Sequence, residues 1–493
     1  MTKVMFINAI DPTSEIQSRF PPLGLAYLAS SLRNHFGQNA FEFKIVDRDV
    51  KNEMEGFRPD VVGITSVSQN YQRATNYARQ AHVRKIPVIM GGIHVSSLPE
   101  SLSGYVDVVV IGEGERTIID LFGFFMKKGV FPKENLADIP GIAFRDFDIP
   151  VGKYDFIKIK FTSKREPIRV LDQIPFPARD LLRIDSRTYM FSSRGCPYRC
   201  VFCASTHFWG KMRMFSAEYV VSEIKELVEK YGVNFITFCD DLMIADVARL
   251  ETIVSLLQKE KFQGKVKFSV NARASHIDEY VVRLLEKMNV VSVGMGLESG
   301  NDRVLHYLKG NNGSVRDNQK AIFTLQRHGI AANASFVIGS PEESKEEIMD
   351  TYRFIKNSGL NFVDTYVLIP FPGTPIWTGA KERGLVSDKM DWNRLEINYS
   401  KNHDPIILSE IISKSEIDRL FKMFQRLRLW IALKNIWKHP FLKYILLAIF
   451  RKGIFKIKSL RVEDVAYSVL IVLLIPYLGL IFAIHHIQKW RAA

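Results

Sequence analysis

Arg194-Gly195-Cys196-Pro197-Tyr198-Arg199-Cys200-Val201-Phe202-Cys203 carries three of the chain's four cysteines. The spacing C-x3-C-x2-C brings three thiolates toward one point on a tight loop. Three thiolates are one short of the usual set for an iron–sulfur cube, which leaves one iron open to a further ligand. Zinc is the competing metal and wants a fourth ligand, for which His207 is within reach. Three unrelated buried cysteines are the bland alternative, but such clustering in 493 residues is hard to obtain by accident. Four cysteines in so long a chain exclude a disulfide scaffold and fit the reducing cytosol.

Outward from this loop, Thr188 to about Asn398 alternates short apolar runs with helical patterns. Strands are predicted at Tyr189–Ser192, Phe235–Phe238, Lys267–Asn271, Ser292–Gly296, Ala332–Ile338 and Asn361–Leu368. Six βα units predict a partial (β/α)6 barrel with its site at the C-terminal strand ends. The residues expected there are Asp240-Asp241, Asn271-Ala272-Arg273, Gly296-Leu297-Glu298-Ser299-Gly300 and Gly339-Ser340-Pro341-Glu342-Glu343.

Residues 1–125 show a second α/β alternation, with predicted strands at Val4–Asn8, Phe43–Asp47, Val61–Thr65, Pro87–Gly91 and Val106–Ile111. These runs are continuously apolar, as expected of a parallel sheet covered on both faces. The strand ends predict a collar of Ser66, Gly91-Gly92-Ile93-His94 and Gly112-Glu113-Gly114-Glu115, suited to a large, flat or phosphate-bearing cofactor. The expected organisation is a Rossmann-like domain at 1–135, a linker at 136–187, the barrel at 188–400, a basic amphipathic helical region at 401–464 and an apolar membrane-type segment at 465–487.

The net charge is +14. From Lys422 to Arg461 there are eleven Lys or Arg and no Asp or Glu, so the rest of the chain carries only +3. That stretch is interleaved with Trp, Phe, Leu and Ile, which suits an anionic membrane surface better than nucleic acid. Val465–Ile484 is twenty residues without a charge, about the length that crosses a bilayer core. Pro476 and Gly479 interrupt it, so a buried hairpin competes with a spanning helix. The expected location is the cytoplasmic side of a membrane.

With C-x3-C-x2-C and these strand-end residues in this order, the chain resembles the radical S-adenosylmethionine (SAM) superfamily. The resemblance implies that Cys196, Cys200 and Cys203 hold a [4Fe–4S] cluster. It implies that SAM, cleaved to a 5′-deoxyadenosyl radical, meets Phe202, Asp240, Asp241, Arg273, Glu298 and Ser299. Asp240 suits the SAM ammonium, Arg273 its carboxylate or ribose, and Glu298 and Ser299 the ribose hydroxyls. Phe20-Pro21-Pro22-Leu23-Gly24-Leu25-Ala26-Tyr27-Leu28-Ala29, with the glycine collar, resembles the cobalamin-binding domain of the class B methylase and anaerobic cyclase-like group. This implies cobalamin contacts at Ser66, Gly91, Gly92, His94, Gly112 and Glu113. The D-x-H-x-x-G motif that supplies a histidine to cobalt elsewhere is absent.

The implied activity is C-methylation of an unactivated carbon on a hydrophobic, lipid- or isoprenoid-like substrate. Its electron donor would be a flavodoxin or ferredoxin. A cyclase or rearrangement enzyme of tetrapyrrole or lipid biosynthesis is the alternative. RNA methylthiolation is disfavoured because no cysteine precedes Cys196, and no nucleic-acid partner is expected. A non-catalytic carrier would lack the need for acidic, Arg and Glu residues after the strands.

Overall fold

A computed structural model describes residues 1–12, 14, 17, 20–131, 133–145, 159–262 and 264–435. The chain divides into one unit from Met1 to Arg428 and a second from Leu429 to Ala493. In the second, residues 429–435 are the end of the helix Lys414–Asn435. The apolar segment at 465–487 and most of the basic stretch lie outside the described residues. Among the described residues, no helix is long and apolar enough to cross a membrane.

The N-terminal sheet contains β1 (Thr2–Asn8), β2 (Phe41–Val46), β3 (Val61–Thr65), β4 (Val88–Gly91), β5 (Val108–Val110), β6 (Ile142–Arg145) and β7 (Ile159–Phe161). Its order is β2-β1-β3-β4-β5-β6-β7, and the first five strands are parallel. Successive side chains of a strand point to opposite faces. Val4 and Phe6 therefore pack with Leu25, Ala29 and Phe122 from helices Leu23–Phe36 and Glu115–Lys128. Met5 and Ile7 pack on the other face with Ala74 and Ala78 of helix Tyr71–Val83. The strand order reverses between β1 and β3, and the loops after these strands are where such sheets take ligands.

The expected linker at 136–187 is in part sheet. β6 pairs antiparallel with β5 (Val108 opposite Phe144), and β7 pairs with β6. β6 takes up the backbone groups on the edge of β5, and its own four residues are all buried. Lys160 lies in the outermost strand, a charge of the kind that blocks further edge pairing.

The second sheet contains β8 (Arg187–Met190), β11 (Phe235–Phe238), β12 (Lys267–Ala272), β13 (Val290–Glu298), β14 (Ala331–Ile338) and β15 (Phe362–Val367). They are parallel and ordered along the chain, β8-β11-β12-β13-β14-β15, giving a partial barrel. The helices between them start at side-chain caps. Ser216, Asp246 and Asp278 accept from backbone N–H groups, and Ser314 and Ser344 form full capping boxes.

The two sheets share a core. Val62, Ile64 and Met90 cluster with Val337, Leu368, Ile376, Trp377 and Trp392. At its centre His94 is fully buried. Its ring lies 4.0 Å from that of Tyr71 and 4.5 Å from that of Trp392. Its Nδ1 pairs with Ser68 Oγ and its Nε2 with Ser101 Oγ, both at 3.0 Å. Burial lowers its pKa from 6.5 to about 3. The unfolded chain therefore binds a proton below pH 6.5 that the folded chain refuses, and stability falls as the pH drops from 6.5 toward 3. Between pH 7 and 5.5 wild type should lose about 1 kcal/mol more than His94→Gln, read from denaturant midpoints. Equal acid sensitivity in the two proteins would overturn this assignment.

Candidate active site

The cysteine loop hangs from a small ribbon. β9 (Ser193–Arg194) pairs antiparallel with β10 (Arg213–Met214), so Arg194 faces Arg213. Residues 195–212, including all three clustered cysteines, lie between these two strands. Gly195 turns the chain at φ +83°, and a Cβ there would come within 3.1 Å of Trp209 Cβ. Cys203 N–H donates to the Cys200 carbonyl at 3.1 Å. Val201 stitches the middle of the loop to two helices: its N–H donates to the Leu308 carbonyl (3.0 Å), and its carbonyl accepts from Ile376 N–H (3.3 Å).

Asp240, after β11, secures the entrance to the loop. It accepts from Ser192 N–H (2.7 Å), Ser192 Oγ (2.6 Å) and Ser193 Oγ (2.5 Å). Arg249 donates to the Ser192 carbonyl at 2.7 Å. Asp240 is buried, and loss of water raises its carboxyl pKa against the hydrogen bonds that lower it. Its oxygens serve the backbone before the cysteines, a positioning arrangement where the sequence suggested an ammonium partner. Asp241 is exposed and accepts from Ser205 Oγ at 2.6 Å. Cys239 is set apart from the other three, and burial followed by the nearby Asp240 charge pushes its thiol up to about 12.

The opposite wall is cationic. Arg273 stacks on the Tyr198 ring at 3.9 Å, and its Nη1 lies 3.7 Å from Cys200 Sγ. Its remaining donors hold the Asn312 carbonyl at 2.7 and 3.1 Å. Lys309 is anchored on the Gly296 carbonyl. Burial lowers its pKa, which the charges of Glu298, Cys200 and Cys196 oppose. Glu298 takes a left-handed backbone (φ +62°) and is buried, which raises its pKa against the pull of Lys309 and Arg273. Ser299 is fully buried, paired with Thr351 Oγ1 at 3.1 Å and with Asn301 N–H at 3.1 Å. It caps the turn, and no part of it is open to a ribose.

Burial raises the thiol pKa of Cys196 and Cys203. A metal offsets that cost by binding the thiolate. Among the described residues no three His, Cys, Asp or Glu side chains already stand as a metal-ligand set, so the thiols must turn toward a common point to share a cluster. The donor chemistry fits: three thiols on one loop, with Arg273 and Lys309 beside them to balance anionic charge.

The glycine collar stands at the ends of β3, β4 and β5. Gly92 has φ +102°, and a Cβ would meet the Ser66 carbonyl at 2.6 Å, so only glycine fits. Gly91, Gly92, Gly112 and Glu113 are part-exposed, and Val67 beside them is an exposed apolar side chain. Such an edge, with small residues and little side-chain bulk, fits close approach of a large flat cofactor. Ser66 Oγ donates to the Val67 carbonyl at 2.8 Å, and Gly112 N–H donates to Ser96 Oγ at 3.0 Å. His94 has both ring nitrogens occupied inside the core and does not reach the collar surface. Glu113 is likewise engaged: Arg194, Arg213 and the Ile168 N–H all donate to it at 2.8–2.9 Å. These ion pairs hold its pKa below the usual carboxylate value despite burial.

The structure thus gathers the three cysteines, Arg273 and Glu298 on one side and Gly91, Gly92 and Gly112 on another. Sequence reasoning missed the roles of Lys309, Tyr198, Arg194, Arg213 and Trp392, and it placed Glu115 in the collar without its arginine partner. Arg194 adjoins the Gly-Cys turn and was the most visible of them. Lys309 sits at the end of an ordinary amphipathic helix and had no signal.

Residues 190–355 match the Radical SAM superfamily, and residues 12–122 match the B12 binding domain. An uncharacterized methyltransferase of Pyrococcus horikoshii is 29% identical, over 89% of this chain and 96% of its own length. The anaerobic magnesium-protoporphyrin IX monomethyl ester cyclase of Cereibacter sphaeroides is 24% identical, over 77% of this chain and 63% of its own. The radical SAM methyltransferase TsrM of Kitasatospora setae, solved with cobalamin and a [4Fe–4S] cluster, shares the fold. Its TM-score is 0.60 at 18% identity, over 78% of this chain and 75% of that one. Matched on both of its sheets, the chain is a radical SAM enzyme that joins a B12-binding domain to a radical SAM domain.

Proposed function

We propose that this chain is a cobalamin-dependent radical SAM methyltransferase acting on an unactivated carbon of a hydrophobic, lipid-like substrate. The observation that carries this reading is the direct attachment of the cysteine loop to the glycine collar, through Arg194 and Glu113. Once bound, the cluster and SAM supply one-electron cleavage of a carbon–sulfur bond, and cobalamin supplies a transferable methyl group.

The chain's own residues bind and orient. Cys196, Cys200 and Cys203 would hold the cluster, with Phe202 beside them. Arg273 and Lys309 would balance the anionic cluster and the SAM carboxylate, and Glu298 would meet the ribose or ammonium. Asp241 is an exposed carboxylate at the same strand end. Asp240 and Ser299 position the loops that carry these groups. Gly91, Gly92, Gly112 and Ser66 would border cobalamin. A low-potential flavodoxin or ferredoxin would deliver the electron.

The basic, apolar run from Lys422 to Arg461 and the uncharged Val465–Ile484 support a cytoplasmic membrane surface as the place of work. A second reading, cyclisation without net methylation, is favoured by the likeness to the magnesium-protoporphyrin ester cyclase. Product mass separates the two, since methylation adds a CH2 unit.

Replacing Cys196, Cys200 or Cys203 with Ala should abolish cluster absorbance and 5′-deoxyadenosine formation under strong reductant; SAM cleavage at the wild-type rate would sink the radical reading. Protein purified without oxygen from cobalamin-supplied cells should carry about one cobalamin per chain. Iron without cobalamin would move cyclisation to the front. Deleting the chain after Arg461 should release it from membranes with its iron intact, and unchanged retention would refute that anchor.

A further inference from the structure

We infer that Glu113 and Glu115 are positioning residues that set the spacing between the iron–sulfur cluster and cobalamin. The inference rests on the function proposed above and deepens it.

The ribbon that closes the cysteine loop places two arginines opposite each other, Arg194 and Arg213. Like charges directly across a strand pair repel, and buried ones cannot stand without counter-charge. Both counter-charges come from the N-terminal domain, Glu113 from the loop after β5 and Glu115 from the start of the helix that follows it. Glu113 pairs with both arginines, and Glu115 pairs with Arg194. All four side chains are 12% exposed or less. Two cations and two carboxylates thus make a buried, charge-balanced quartet that forms only when the two domains meet.

The quartet has little slack on either side. One residue, the left-handed Gly195, separates Arg194 from Cys196. On the other side Gly112, at φ +79°, adjoins Glu113 directly. Between the two glutamates Gly114 packs so closely that a Cβ would meet Leu28 at 3.0 Å. The Arg194 guanidinium lies 5.6 Å from the Tyr27 ring of the N-terminal domain and 5.1 Å from the Trp209 ring of the cysteine loop. Arg213 and Glu113 also grip the carbonyl and the N–H of Ile168, which ties down the segment connecting the domains. A shift of the collar is therefore carried to the first cysteine through two short turns and one ion-paired side chain.

The test uses the full-length protein with its cluster reduced and its cobalamin as cob(II)alamin, each carrying an unpaired electron. Electron paramagnetic resonance reads the magnetic interaction between the two centres, and hence their spacing. Two variants are compared with wild type: Glu115→Gln, and Glu115→Gln with Arg213→Gln, which keeps the buried charge balanced. Iron and cobalamin contents should stay at wild-type levels in both, while the single well-defined interaction is lost to a broad distribution. Variants that keep the wild-type interaction and only melt at lower temperature would overturn the inference, leaving the quartet a purely stabilising feature. Wild-type protein that takes up no cobalamin would instead overturn the function proposed above, and the inference with it.

Discussion

Two buried arginines facing each other across a two-residue ribbon are the constraint on which the functional half of this molecule depends. Alone, Arg194 and Arg213 would drive the ends of the cysteine loop apart. With Glu113 and Glu115 in place they close it. Such a network contributes little net stability, because desolvation consumes most of its Coulomb energy. Removing one partner, by contrast, costs about 3–5 kcal/mol. Its geometric effect is to tie both ends of the cysteine loop to one short segment of the N-terminal domain.

Apolar packing then makes the pairing of domains durable. Trp392 follows the last barrel strand yet sits on His94 and Tyr71 from helices of the N-terminal domain. Gly373, after β15, would meet Ser97 Oγ at 3.0 Å if it carried a Cβ. A neutral histidine at this junction satisfies Ser68 and Ser101 without bringing a charge into the core. The expected cofactor histidine is thus a structural one, which fits a cobalamin site that takes no histidine from the protein.

Around the cysteines the division of labour is between residues that hold loops and residues that bring charge beside the thiols. Asp240 and Ser299 have spent their hydrogen bonds on backbone and neighbouring hydroxyls. Arg273, Lys309 and Glu298 form a compact charged wall beside the thiols. The low-dielectric surrounding strengthens the interaction of each of these charges with its neighbours.

The sequence by itself determined the two parallel sheets, the cysteine loop and the strand ends that carry chemistry. Those features are local: apolar runs buried on both faces, helices with side-chain caps, and a C-x3-C-x2-C spacing read within ten residues. β6 and β7 escaped because short strands pairing antiparallel at an edge give a weak periodic signal. Only the tertiary structure decided which polar residues were already engaged. His94, Asp240 and Glu113 look alike in sequence to residues awaiting a ligand, but most of their partners lie tens of residues away along the chain. The quartet was invisible for the same reason. Whether a carboxylate serves a cofactor or neutralises an arginine depends on what folding brings within hydrogen-bond reach, and that is set by the docking of two domains.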